Sequence, residues 1–415
     1  MSLLVANRNY RLLFSASAIS NLGDGISALA FPWLATLITR DPALIALVAF
    51  ATRLPWMLFS IPAGVITDRR DRKTLMIQAD AFRFILTAGV IAQILSIDTI
   101  PPENTAHLYI YALSGLAFLL GAAEVIRDNA AQTVLPSIVN KDDLETANGQ
   151  IWSVEQVMGS FVGPPLAGIL IALAVPLPFA VDAITFALAA WIVWMMAVPP
   201  RAARDMRSPI AEAIEGARWM LAHRSILQLA LMLGIINALH VMALTILILF
   251  SQEILNLNAA GHGILLTAGA AGGVIGGLMC PRVVKRIGAR HSLFIALAIF
   301  ALHYIVIAAT SNPWIVGFAL FVEMFAAVLW NVVTVSYRQR LIPDDLLGRV
   351  NSIYRFFGWG MMPIGALLGG WVVTFAEPSL GRVDALRAVF YLAAAGSALM
   401  FIYGATRLRL SQDST

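Results

Sequence analysis

The chain has 415 residues, of which 59% are hydrophobic and only 13% charged, with a mean hydropathy of +0.80. A soluble globular domain carries about 25% charged residues, so the composition excludes a soluble fold and points to a protein integral to a bilayer. The net charge of +4 does not signal nucleic acid, because the basic residues are dispersed over short polar stretches rather than gathered into a stripe.

A spanning helix needs roughly 20 predominantly apolar residues. About twelve segments qualify: 9–38, 43–67, 74–96, 107–134, 147–175 and 178–198 in the first half, then 225–252, 259–281, 291–310, 313–340, 348–376 and 384–408. Lys and Arg fall in alternate loops: Arg8 and Arg11, Arg69 to Lys73, Lys141, Arg201 to Arg224, Arg282 to Arg290, Arg338 to Arg349, and Arg407 with Arg409. The intervening loops are nearly free of them, which predicts a multi-pass protein of the plasma (inner) membrane with both termini cytoplasmic. The first segment is too long for a signal peptide and lacks a small-residue cleavage site. The single cysteine, Cys280, cannot form an intrachain disulfide.

Charges inside apolar spans are costly, about 2.5–3.5 kcal/mol each at a helix centre, and so point to function. Asp24 lies about 22 Å into the first segment and Arg53 about 15 Å into the second from the opposite face. Similar depths on sequential antiparallel helices predict an Asp24–Arg53 ion pair near the midplane, either a working site or a clasp that offsets two buried charges. Glu124, Arg127 and Asp128 fall toward the cytoplasmic end of the fourth segment, where Glu124 and Asp128 share a face; a solvated helix end is the plain alternative. Asp182 reads as an end-cap or loop anchor of the sixth segment. His240 lies about 22 Å into the seventh and Glu323 about 15 Å into the tenth, with no evident partner for Glu323. Glu155 and Arg355 occupy nearly equivalent places in the fifth and eleventh segments and are candidates for a cytoplasmic pair. His262 and His303 are isolated and carry no assignment.

The fifth segment contains Gly159, Gly163, Pro164 and Gly168, with glycines spaced to form a groove for a neighbouring backbone and a proline that bends the helix. Residues 199–224 form the longest polar interruption, and Ile210, Ile214, Ala217, Trp219 and Leu221 among Glu212, Glu215 and Arg218 predict a short interfacial helix. This linker separates an N-terminal half (1–198) from a C-terminal half (225–415). The halves repeat: Asn21 to Asp24 aligns with Asn237 to His240, Arg69 to Lys73 with Arg286 to Arg290, Asp142 to Leu144 with Asp344 to Leu346, and Gly163 to Gly168 with Gly365 to Gly370. Parallel duplication of a six-helix unit, with a site at the interface of the repeats, is a design found among membrane transporters.

Between the second and third segments, Gly64, Asp68, Arg69, Arg72 and Lys73 resemble the GxxxDRxGRR loop of the major facilitator superfamily. Asp71 stands where that pattern prefers glycine, a departure similar to the macrolide-efflux and siderophore-exporter branch. The Gly159–Gly168 stretch resembles the superfamily's antiporter motif, ending in Ala167 and Gly168 rather than two glycines, and implies export. The resemblance implies an all-α membrane protein with twelve transmembrane helices in two six-helix repeats. It also implies a cytoplasmic gate in which Asp68 meets the helix starting near Gly348 and Arg72 reaches Asp128, with Gly64, Arg69, Glu124, Arg127, Glu155 and Arg355 around it. Asn21, Asp24, Arg53, Asn237, His240 and Glu323 are the candidate substrate and proton residues.

No nucleotide-binding loop, metal-ligand spacing, HExxH or GxSxG motif is present, so neither an enzyme nor a cofactor is expected. The partners expected are a small-molecule substrate, protons and the lipid bilayer, but no nucleic acid, and the chain reads as a monomer. The reading is a secondary active transporter that exports a drug-like or amphipathic metabolite or siderophore by proton antiport and alternating access. A proton-coupled importer or uniporter of a small nutrient, and a non-transporting membrane sensor, are the alternatives.

Overall fold

Helices begin where a polar residue can satisfy the free amides at the head of an apolar run. In the computed structural model, which describes residues 3–102, 104–198 and 209–408, Asn7, Asp41, Asp71 and Asn312 each cap a helix through a side-chain oxygen, and Pro42 and Pro313 follow two of these caps at the first helical position. The helices are α1 (Leu3–Ala6), α2 (Arg8–Ile38), α3 (Pro42–Arg69), α4 (Arg72–Leu95), α5 (Ala106–Ile138), α6 (Leu144–Gln156), α7 (Gly163–Leu173) and α8 (Leu177–Trp194). After them come α9 (Pro209–Ala222), α10 (Arg224–Glu253), α11 (Ala259–Ile287), α12 (Ala289–Ala309), α13 (Pro313–Leu341), α14 (Asp344–Gly360), α15 (Met362–Leu380) and α16 (Arg382–Arg407).

Among the described residues, eleven helical stretches are long and apolar enough to cross a membrane. The first expected span, α2, is long enough at 31 residues, but Ser15, Ser17, Ser20, Asn21, Asp24 and Ser27 dilute its hydropathy. Its polar residues face protein rather than lipid: Ser17 and Ser20 are buried.

The fifth span is one continuous stretch of α6, a π-helical segment Val157–Val162 and α7. The Gly163 amide bonds to the Met158 carbonyl, a wide turn that takes up the amide missing at Pro164. At the equivalent place in the second half, α14 and α15 are broken by a turn at Met361, just before Pro363. Both copies of the repeat therefore interrupt the same span at the same point.

The chain forms two compact units, one of residues 1–205 with 257–267, the other of residues 206–256 with 268–415. In the first, α2 packs on α7 and α8, α3 on α5, and α4 on α5 and α8. In the second, α10 packs on α14, α15 and α16, and α12 on α13 and α16. The linker helix does not simply lie on a surface, as its sequence predicted. Met220 is buried in the second unit's core, a Cβ on Gly216 would sit 2.7 Å from the Arg349 carbonyl oxygen, and Glu215 pairs with Arg349 at 2.7 Å. Ile210 and Glu212 have side chains outside the described residues, as does the chain over 199–208.

Candidate substrate and proton site

A cluster of charged side chains occupies the interior of the first unit. Asp24 does pair with arginine, but the partner is Arg83 of α4 and not Arg53. The reason is lateral packing: α3 packs chiefly along α5 and little on α2, and Arg53 is exposed and stands within electrostatic reach of Glu124. Arg83 donates a second hydrogen bond to Ser20 at 3.2 Å, lies 3.7 Å from Asp80, and stacks over the Phe186 ring at 3.9 Å. Its side chain is 3% exposed against 23% for Asp24. The pair thus has a sealed cationic side and a partly exposed anionic side.

The fourth-span charges belong to the same cluster. Arg127 is buried rather than at a solvated helix end, 3.8 Å from Asp80 and 3.4 Å from Asp128. Asp182 is no end-cap: it is fully buried and accepts a 2.6 Å hydrogen bond from Ser27. Its carboxylate and the Thr185 hydroxyl occupy the space that a Cβ at Gly23 would fill, so glycine beside Asp24 lets α8 approach. Glu155 lies within reach of Asp128, Arg127 and Asp24. Asp80 and Arg83 were not singled out in the sequence, although a carboxylate and a guanidinium three residues apart inside an apolar window are the signal that marks them.

In the second unit, Glu323 has the partner that its sequence did not reveal: the His240 Nδ1 lies 3.1 Å from its carboxylate. Glu323 is buried and His240 about one-third exposed. His303, unassigned from sequence, and Tyr304 join them around a cavity of about 20 Å³, lined also by Leu244, Leu320 and Phe390 among others. That volume accommodates one water molecule. His262 is buried beside Trp33 in the first unit.

Asn21 bonds back to the Ser17 carbonyl of its own helix, whereas its repeat mate Asn237 donates to the Gly358 carbonyl at 2.8 Å. The repeated spacing therefore has different uses in the two halves. The fifth-span glycines are contact surfaces: a Cβ at Gly163 would lie 2.6 Å from the Gly25 backbone, and one at Gly25 would strike the Gly159 carbonyl. Farther along, Gly168 faces Ala259 and Ala260, and Gly263 faces Pro164.

The charged block between α3 and α4 is mostly helical. Arg69 closes α3, Arg72 opens α4, and Asp71 caps α4 by accepting from the Thr74 amide at 2.7 Å and its hydroxyl at 2.6 Å. Those two hydrogen bonds, the hydroxyl first, hold the Asp71 carboxyl below its usual range. Capping explains an aspartate where the loop pattern has glycine. Arg72 donates to the Thr133 carbonyl of α5, while Asp128 meets Arg127. A Cβ at Gly64 meets nothing within 4 Å, the side chain of Asp68 lies outside the described residues, and Arg355 stacks over Trp359 at 4.3 Å.

The sequence profile of a transmembrane secretion effector family matches residues 4–407. The chain belongs to this family of the major facilitator superfamily. This membrane transporter is 24% identical over 365 residues to the staphyloferrin A transporter of Staphylococcus aureus, covering 86% of this chain and 88% of that one. It is 26% identical over 390 residues to the enterobactin exporter EntS of Shigella boydii, covering 89% and 86% respectively. Its fold is shared with the nucleoside transporter NupG (TM-score 0.78, 11% identity, 96% and 100% coverage). A bacterial homologue of the iron transporter ferroportin shares it too (TM-score 0.72, 17% identity, 98% and 100% coverage). Family and relatives are transporters and not enzymes.

Proposed function

We propose that this transporter exports a siderophore-like metabolite in exchange for protons, seated in the plasma membrane with both termini in the cytoplasm and working by alternating access of its two six-helix halves. The observation that carries the reading is the Asp24–Arg83 pair, one partner sealed and the other partly exposed. A proton arriving at Asp24 neutralises the carboxylate and frees Arg83; losing the proton restores the pair. The staphyloferrin A and enterobactin relatives support the substrate class and the export direction.

Arg53, exposed within a span, is a cation for an anionic substrate, since a charge facing lipid there is disfavoured. His240 and Glu323 contact substrate or carry a second proton from the other half. Gly64, Asp68, Arg69 and Arg72, with Asp128, Glu155 and Arg355, form the cytoplasmic gate. With no nucleotide site, the drive is the proton gradient: one charge through 100 mV supplies about 2.3 kcal/mol, roughly a fiftyfold concentration ratio.

The test is flux into everted vesicles, with labelled enterobactin and staphyloferrin A as substrates and a macrolide for comparison. Accumulation of at least one siderophore is expected with an acidic lumen, and its collapse when an ionophore dissipates the gradient. Accumulation indifferent to the ionophore would remove proton coupling; flux of the opposite polarity would make the protein an importer. Asp24→Asn should abolish pH-driven accumulation and leave downhill exchange measurable in proteoliposomes. Full accumulation by that variant would take Asp24 out of the coupling step.

A further inference from the structure

The eleventh span of the second unit changes character at its break. Along α15, Ile364, Leu368, Trp371 and Phe375 are exposed and apolar, as suits a face turned to hydrocarbon. Along the described side chains of α14 the exposed ones are Ser352, Arg355 and Phe356, with Trp359 half-buried one turn on. Arg355 stands about 16 Å along α14, inside the membrane-length stretch Arg349–Leu380. A guanidinium facing lipid there is disfavoured. The turn at Met361 lets one span show an apolar face on one side of the break and a cationic, aromatic face on the other.

That second face is held firmly from behind. Val350, Tyr354 and Gly358 recur every fourth residue on the far side of α14 and are buried. Tyr354 donates to the Leu229 carbonyl at 3.4 Å and Asn237 to the Gly358 carbonyl at 2.8 Å, while a Cβ at Gly234 would lie 2.6 Å from the Phe357 carbonyl oxygen. Two arginines of this region then differ in what they meet. Arg338 is buried, donates to Asn351 at 2.8 Å and stacks over Tyr354 at 3.7 Å. Arg355 stacks over Trp359 at 4.3 Å, with Phe356, 48% exposed, next in the chain, but among the described residues no carboxylate pairs with it.

We propose that Arg355, Trp359 and Phe356 form a recognition surface on α14 for an aromatic carboxylate. The chemistry of the three side chains sets the ligand class. A guanidinium is a planar fork whose N–H groups match a carboxylate bidentately. Trp359 occupies one side of it, and a second ring can lie against the other. The exposed phenyl of Phe356 adds apolar area for that ring. A neutral ring would leave the cation unpaired, and an aliphatic acid would leave the aromatic faces uncovered. The part of this surface in transport rests on the export reading, with Arg355 at the gate, whereas its capacity to bind does not.

The test uses full-length protein in phosphatidylcholine nanodiscs, titrated with fluorobenzoate and followed by fluorine NMR, with benzoate, cyclohexanecarboxylate and benzyl alcohol as competitors. Saturable binding is expected, with benzoate the strongest competitor, and a loss of about tenfold or more in affinity in Arg355→Gln. Trp359→Leu should weaken binding too, and Arg355→Lys, which keeps the charge without the planar fork, should restore only part of it. Equal competition by benzoate and cyclohexanecarboxylate, or full affinity in Arg355→Gln, would overturn the proposal. Where a variant fails to fold, photolabelling of the wild type with azidobenzoate decides: label is expected within residues 349–360, and label elsewhere alone would rule the surface out. Loss of binding on adding phosphatidylglycerol would assign Arg355 to lipid phosphate instead. Vesicle flux separates the two claims. Fluorobenzoate bound at α14 without siderophore flux would leave the surface and remove the export reading, and siderophore flux undiminished in Arg355→Gln would do the opposite.

Discussion

Two arginines at mid-span differ in what holds them, and that difference is measurable. Arg83 is buried between Asp24, Asp80, Ser20 and Phe186, whereas Arg53 is exposed. Removing one member of a buried pair leaves an uncompensated charge and costs about 3–5 kcal/mol; breaking the contacts of an exposed charge costs only about 0–1 kcal/mol. Arg83→Gln is therefore expected to lower the melting temperature of the purified protein strongly and Arg53→Gln to leave it nearly unchanged, with flux impaired in both. Equal melting temperatures would show that the Arg83 network is not what secures α4. The depths of Asp24 and Arg53 were legible in the sequence, because a helix climbs 1.5 Å per residue. The partner was not, because neighbours in sequence are not the neighbours in contact: α3 pairs with α5, and α4 reaches α2 from across the unit. The same limit concealed the His240–Glu323 pair, whose members lie on α10 and α13.

At the scale of helices, span boundaries were readable to within a few residues, since hydrocarbon thickness fixes length and polar caps fix ends. The interior of a span was less so: Pro164 announced a bend, but the form it took, a π turn in one half and a break in the other, depends on what each backbone packs against. Asp71 shows a cap that can be titrated. Replacing an N-cap aspartate by alanine costs about 1 kcal/mol, so Asp71→Ala should destabilise the α4 end by that amount at neutral pH. Because the folded carboxyl titrates below its ordinary 3.8, the cap's contribution is full above that value and fades as the pH falls beneath it. The difference between wild type and Asp71→Ala in amide exchange at residues 72–76 should vanish in strong acid; a constant difference would assign the effect to something other than the ionised cap. The glycine contacts make a steric prediction. Gly163→Leu forces four side-chain carbons into the Gly25 backbone and overpacking costs about 1–3 kcal/mol, so flux should stop while the more apolar helix still inserts. Normal flux from inserted Gly163→Leu protein would show that α2 and α7 can part freely.

On the scale of the whole molecule, the sequence repeat divides the chain at the linker, but the compact units do not follow that division. Residues 257–267 belong with the first unit, where Ala259 and Ala260 cover Gly168 and Gly263 meets Pro164. The remainder of the same helix belongs with the second. Synthesis runs from the N-terminus, and domains generally form as their residues emerge. The first six spans thus enter the bilayer before the residues that cover their fifth helix have been made. Until α11 follows, the small-residue face at Gly168 is left to lipid or to an insertion factor. A fragment ending at residue 205 should accordingly insert yet remain protease-sensitive near Gly168, and become resistant when residues 206–415 are supplied as a separate chain. Full resistance of the fragment alone would mean that lipid covers the face well enough. On this account the first half of the protein is born incomplete, and its last structural contact arrives from the half that is translated after it.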